Sequence, residues 1–160
     1  MTGVGEGAAP ELHTRYLGEL RIEVSGTLWL GDGPLGLRRL DRLEAGHFQG
    51  PHVKARIVAG GLDTLLKGQD GAFRPDVRLV LELDDGAPLL IRYQGVRHGP
   101  AEVMERLARG EAVASSQYYL RTALTFETAS PGYDWLNRIV AVGVGRRERD
   151  AAVYDVFEVL

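Results

Sequence analysis

One carboxylate stands out among the side chains able to do chemistry. Asp63 follows the pair Gly60-Gly61 and precedes Thr64. It has two readings. It hydrogen-bonds the backbone amides of its own turn, or it is a carboxylate at a cavity, raised in pKa by burial and able to move a proton. Arg78 and Glu82 share one face of an alternating stretch, and Arg121 shares a face with Tyr119. An arginine pointing into a protein interior needs a carboxylate partner, because an unpaired buried charge is very costly. These charged residues therefore either pair across strands on an outer surface or line a polar pocket. Tyr93 offers a hydroxyl donor, Trp135 a pocket wall, and Asn137 a polar group just after Tyr133-Asp134-Trp135. His47 is a reserve acid or base, since an unburied imidazole titrates near neutrality.

Other chemistries find little support. There is no Cys, so thiolate catalysis, disulfides and Cys-held metals are excluded. Ser occurs only at 25, 115, 116 and 130, and no Gly-x-Ser-x-Gly elbow is present. The histidines are His13, His47, His52 and His98; His47 and His52 bracket Phe48-Gln49-Gly50-Pro51 without a metal-ligand spacing, so no metal is expected. Gly3-Val4-Gly5-Glu6-Gly7 is glycine-rich, but it follows no strand and opens no helix, and the dinucleotide reading fails. No cofactor is expected.

Strands must position these residues. Tyr16 to Val24 alternates, with Leu20, Ile22 and Val24 on one face; Val77, Leu79, Leu81 and Leu83 do the same. Asp84-Asp85-Gly86 joins the latter run to Leu89, Ile91 and Tyr93, a strong hairpin signal. Leu35 to Leu43, broken by Arg38-Arg39, reads as a bent strand, and Val53 to Ala59 as a strand closed by Gly60-Gly61. Tyr118 to Thr128, Leu136 to Arg146 and Ala152 to Val159 complete the set. The one helix starts at Pro100 and ends before Gly110, with Val103, Met104 and Leu107 as a narrow apolar stripe.

Among 160 residues, 21 are Gly and 44% are hydrophobic. So many glycines without a repeat fit short strands and tight turns. Residues 1–10 read as a disordered lead, and residues 11–160 as one domain. Eight to ten antiparallel strands must hide their edges, and closure does so; the expected fold is a single antiparallel β-barrel, mainly β, with one short helix and a central cavity. Nineteen basic against 22 acidic residues give a net charge of −3, without the footprint of a nucleic-acid binder. The longest apolar run, Ile139 to Gly145, is far short of the ~18 residues of a spanning helix. No signal peptide is read at the start. A cytoplasmic protein with no nucleic-acid or membrane partner is expected, and exposed barrel strands suggest a homodimer.

Several segments in order resemble a bacterial and fungal family known as domain of unknown function 3237. They are Gly46-His47-Phe48-Gln49-Gly50-Pro51, Gly60-Gly61-Leu62-Asp63, Asp84-Asp85-Gly86, Gly95-Val96-Arg97, Tyr119-Leu120-Arg121-Thr122, Phe126-Glu127-Thr128, Tyr133-Asp134-Trp135-Leu136-Asn137-Arg138 and Val142-Gly143-Val144-Gly145-Arg146. The resemblance runs from about Leu12 to the C-terminus and implies a small β-barrel with a central cavity. It implies no settled activity. The family commonly has Trp where this chain has Thr64, and a small polar residue where it has Tyr93, which suggests a retuned cavity.

The function expected from these residues is that of a cofactor-independent isomerase, cyclase or lyase acting on a hydrophobic, oxygenated small molecule in the barrel. Asp63 would accept the proton and Arg121 would bind or polarise an oxygen, with His47 in reserve. Arg78, Tyr93, Tyr119, Trp135 and Asn137 would bind substrate. The alternatives are a non-catalytic carrier of such a ligand and a structural oligomerisation domain whose interior is filled by side chains.

Overall fold

Apolar residues at every second position put a row of side chains on one face of each strand, and closure turns those rows inward. The computed structural model describes residues 7–160. The expected lead over 1–10 falls mostly outside them; its last four, Gly7 to Pro10, carry no helix or strand. The strands are β1 (Thr14–Gly33), β2 (Gly36–Gln49), β3 (Lys54–Lys67), β4 (Phe73–Arg74), β5 (Asp76–Leu83), β6 (Pro88–His98), β7 (Tyr119–Thr128), β8 (Ala141–Glu148) and β9 (Ala151–Val159). Every pairing is antiparallel. Following them from β1 through β2, β3, β5, β6, β7, β8 and β9 returns to β1, so eight strands close into a barrel and β4 is a short extra strand between β3 and β6. No helix among the described residues is long and apolar enough to cross a membrane.

The two ends of the barrel differ. At one end Phe48 and Phe126 stack with centroids 5.9 Å apart, and Leu83, Leu89 and Leu136 are fully buried around them. Each such side chain contributes roughly 1.5–3 kcal/mol by leaving water. A stretch of 3₁₀-helix, Pro131–Arg138, closes this end. Asn137 Nδ2 donates to the Thr128 carbonyl and Asn137 Oδ1 accepts from the Thr128 amide, which fixes that closure. The strand expected from Leu136 therefore begins only at Ala141. Pro131 starts the 3₁₀ turn in place of a strand, because its fixed φ suits a helical first turn. Helix α1 (Ala101–Ala108) lies at the opposite end with no residue fully buried.

Gly60-Gly61 does not end a strand. β3 runs through it with a register break between Ile57 and Gly60 against β5, so the pair forms a bulge that bends the strand. Gly60 has φ +71°, and a Cβ on Gly61 would lie 1.9 Å from the Arg78 carbonyl oxygen, so both positions require glycine.

Candidate functional site

At the α1 end the inward rows turn polar. β2 carries Arg39, Asp41 and Leu43 inward, β3 carries Asp63 and Leu65, β6 carries Tyr93 and Arg97, and β8 and β9 supply Arg147 and Tyr154. Asp41 and Asp63 are direct cross-strand partners. Arg39 grips Asp41 through Nε at 3.2 Å and Nη2 at 2.9 Å, and Thr27 Oγ1 donates to Asp41 at 2.8 Å. Asp41 is thereby satisfied although it is only 3% exposed.

Asp63 is differently placed. Among the described residues its one side-chain hydrogen bond comes from the backbone amide of Asp76, at 3.1 Å, across the sheet and not within its own turn. Burial pushes its carboxyl up to about 7, with neighbouring Asp41 adding to the rise. The Asp76 amide, Arg39 and Arg97 oppose that rise without cancelling it. A carboxyl poised at this value is present in both protonation states near neutral pH, the condition for taking and returning a proton. Tyr93 packs on Tyr154 with ring centroids 5.3 Å apart. Burial, Tyr154 and Asp63 hold the Tyr93 phenol well above its usual range, and burial raises Tyr154 as well, so both remain hydrogen-bond donors.

The tyrosine ring explains the strand glycines. A Cβ on Gly145 would meet Tyr154 Cε1 at 2.7 Å and Leu120 Cγ at 2.5 Å, and one on Gly143 would meet Thr122 Oγ1 at 2.3 Å. Room for the ring is made by leaving side chains out of β8. Between these polar groups remains a space of about 20 Å³, enough for one water or one substrate oxygen. Outside it the mouth widens into a vestibule of about 500 Å³, walled by Trp29, Leu37 and Phe73 on one side and Met104 and Leu107 of α1 on the other.

Of the residues expected to form a site, Asp63 and Tyr93 face this cavity. The others do not. Arg78, Tyr119 and Arg121 fall on the outward positions of β5 and β7 and are exposed, with Arg121 lying over the Tyr119 ring at 5.1 Å. Their neighbours Val77, Leu79, Leu120 and Thr122 take the inward positions, and period-two alternation then sends the cations outward. His47 likewise points outward, because Phe48 beside it points in; its Nε2 lies 3.2 Å from Glu19 Oε1 on the outer wall. Trp135 packs against the core, and Asn137 holds backbone; both belong to the closed end and not to the cavity. Thr64 sits between the inward Asp63 and Leu65 and bonds the Asp76 carbonyl, so the change from Trp there does not reshape the cavity.

Sequence reasoning missed Arg39, Asp41, Arg97, Arg147 and Tyr154. A signal existed for some of them: Leu89, Ile91, Tyr93, Gly95 and Arg97 share one parity, as do Ala152, Tyr154 and Val156. Among the described residues no three His, Cys, Asp or Glu side chains gather as a metal cage.

Comparison with known proteins places this geometry. The family model described as protein of unknown function (DUF3237) matches residues 12–159. The chain belongs to the DUF3237 family. A UPF0311 protein of Rhodopseudomonas palustris is 30% identical over 151 residues, covering 94% of this chain and 99% of that protein. The solved structure from that organism superposes with a TM-score of 0.91 over 95% of this chain and 100% of the other. A structure from Acinetobacter baumannii described as β-barrel like is 34% identical with a TM-score of 0.82, covering 96% and 99% of the two chains. A protein of Penicillium herquei named as a hydroalkoxylation enzyme is 26% identical over 107 residues, 67% of this chain and 56% of that one. This DUF3237 barrel is thus similar to bacterial proteins of unknown function and, more distantly, to a fungal enzyme.

Proposed function

We propose that this DUF3237 protein is an enzyme that relocates a proton within an oxygenated, largely apolar small molecule, an isomerase, cyclase or lyase acting without a cofactor. The observation that carries the reading is Asp63, a desolvated carboxyl poised at about 7 at the inner end of an apolar-walled vestibule. In such a place the group takes a proton from an acidic C–H or O–H and returns it to another atom of the same substrate. Tyr93 and Tyr154 donate hydrogen bonds to the oxygen on which charge develops. The vestibule excludes water from one side of the substrate and restricts its conformations, which lowers the barrier to a ring closure.

The fungal relative supports the same class. Hydroalkoxylation within one molecule breaks an O–H bond, forms a C–O bond at an alkene carbon and delivers the proton to the other alkene carbon. Atoms balance without oxidant or reductant, and only a proton must be handled. The test is incubation with a panel of alkenyl phenols and alkenyl alcohols, followed by NMR and mass spectrometry. A product of unchanged mass, formed by the wild type and lost in Asp63→Asn, is the expected result. Conversion at the wild-type rate by Asp63→Asn would refute the assignment, and a ligand that binds and is recovered unchanged would indicate a carrier.

A further inference from the structure

Arg97 is a charge without a hydrogen-bond or ion-pair partner among the described residues. Its Nε is fully enclosed and finds no hydrogen-bond partner among the described residues. Its guanidinium rests on the face of Phe73, 4.7 Å from the ring centroid, which fixes its plane without neutralising it. No carboxylate among the described residues lies within ion-pair distance of it, or of Arg147 beside it. Burial, with Arg147 adding a like charge, lowers Arg97 to about 10, so it stays a cation at neutral pH.

The surroundings share this bias. Arg39, Lys67, Arg97, Arg147 and Arg149 face the cavity and its mouth, against Asp41, Asp63 and Asp150. Asp41 is taken up by Arg39, and Asp63 is only partly ionised. A protein of net charge −3 therefore presents a cationic mouth, and the surplus sits where desolvation makes it most costly. A half-buried, unpaired guanidinium with its Nε enclosed is satisfied best by a planar anion that accepts two parallel N–H bonds.

We infer that the vestibule takes its substrate as a carboxylate on an apolar body, with the carboxylate held by Arg97 and Arg147 and the body lying between Trp29, Phe73 and the apolar face of α1. A carboxylate fits better than a phenol, because it is fully ionised at neutral pH and supplies two acceptor oxygens. As the anchor serves the same cavity as Asp63, it rests on the acid–base reading above and specifies what that site accepts.

The test is calorimetric titration of the full chain with 2-naphthoate and with its neutral isostere 2-naphthamide at low salt and neutral pH. The expected result is that naphthoate binds about tenfold or more tightly than the amide. This preference should fall to within about threefold in Arg97→Met and drop in Arg147→Gln, with amide affinity unchanged. Arg147→Gln keeps the test decisive if Arg97→Met fails to fold. Asp63→Asn should bind naphthoate as tightly or more tightly. Equal affinity for acid and amide, no binding of either, or a preference that survives in the arginine variants overturns the anchor. A charge preference without Asp63-dependent turnover sinks the acid–base reading and spares the anchor; turnover without a charge preference does the reverse.

Discussion

The closed end and the mouth of the barrel are built from the same strands by the same alternation, yet they are opposite materials. Along β6, Leu89 and Ile91 face the closed end and middle, while Tyr93 and Arg97 face the mouth. Along β2, Phe48 faces the closed end, while Asp41 and Arg39 face the mouth. At the closed end apolar rings are stacked, and polar groups such as Asn137 against Thr128 and Tyr133 against Asp84 are matched to partners. At the mouth, Arg97 and Thr122 each keep a buried polar atom unmatched, and Asp63 carries a carboxyl held far from its solution behaviour. Filled apolar packing lies at one end and the unmatched polar groups at the other. Unmatched groups persist where a ligand can satisfy them and the rest of the fold supplies the stability to hold them.

Substitutions sort accordingly. The largest loss is expected at the closed end: Phe126→Ala or Leu136→Ala should destabilise by about 3–5 kcal/mol in urea unfolding, since either opens a cavity in a filled region. A loss below about 1 kcal/mol would show that this end is not the stabilising one.

At the mouth the sign reverses. The native carboxyl of Asp63 titrates near 7 and an unfolded one near 3.8, so between these values the native state binds more protons. Asp63 therefore costs nothing below about pH 4, and its cost grows as pH rises towards 7. Asp63→Asn should gain about 2–4 kcal/mol at pH 8 relative to its effect at pH 4, measured by unfolding at both values. A gain independent of pH would contradict the assignment.

Gly145→Ala tests how the two materials join. Its new methyl must displace Leu120 or the Tyr154 ring, at an expected cost of about 1–3 kcal/mol, together with altered ligand binding at the mouth. Asn137→Ala should cost about 1–2 kcal/mol through the two lost backbone contacts, with binding unaffected. Smallest of all, Arg78→Ala and Arg121→Ala should stay within about 0.5 kcal/mol and leave turnover intact, because both side chains lie on the outer wall. Loss of turnover in either would restore the role first assigned to them from sequence.

The barrel was legible because alternation repeats in eight strands and each apolar row has one place to go. Asp63 was legible because a carboxylate beside a glycine bulge stood out from its leucines. The arginines misled for a physical reason. Arg78 and Arg121 sit in the most regular strands, where regularity itself directs them outward. The cations of the mouth lie in irregular stretches instead. Arg39 lies where the leucines change parity, between Leu37 and Leu40, and Arg147 comes near the end of a strand whose preceding inward positions are Gly143 and Gly145. Bulges hide parity from a one-dimensional reading. Which glycines make room for a ring also depends on Tyr154, a partner on the neighbouring strand that spacing cannot reveal.

The central claim is that Asp63 is a proton-transfer group made by its surroundings, and its carboxyl can be watched directly. Carbon-13 NMR of the aspartate carboxyl carbons, titrated from about pH 3 to 9 and assigned by loss of one resonance in Asp63→Asn, gives its midpoint. A midpoint near 7 is the result expected here. A midpoint near 4, the ordinary carboxylate value, would show a solvated group with no reason to exchange protons at neutral pH and would contradict the account.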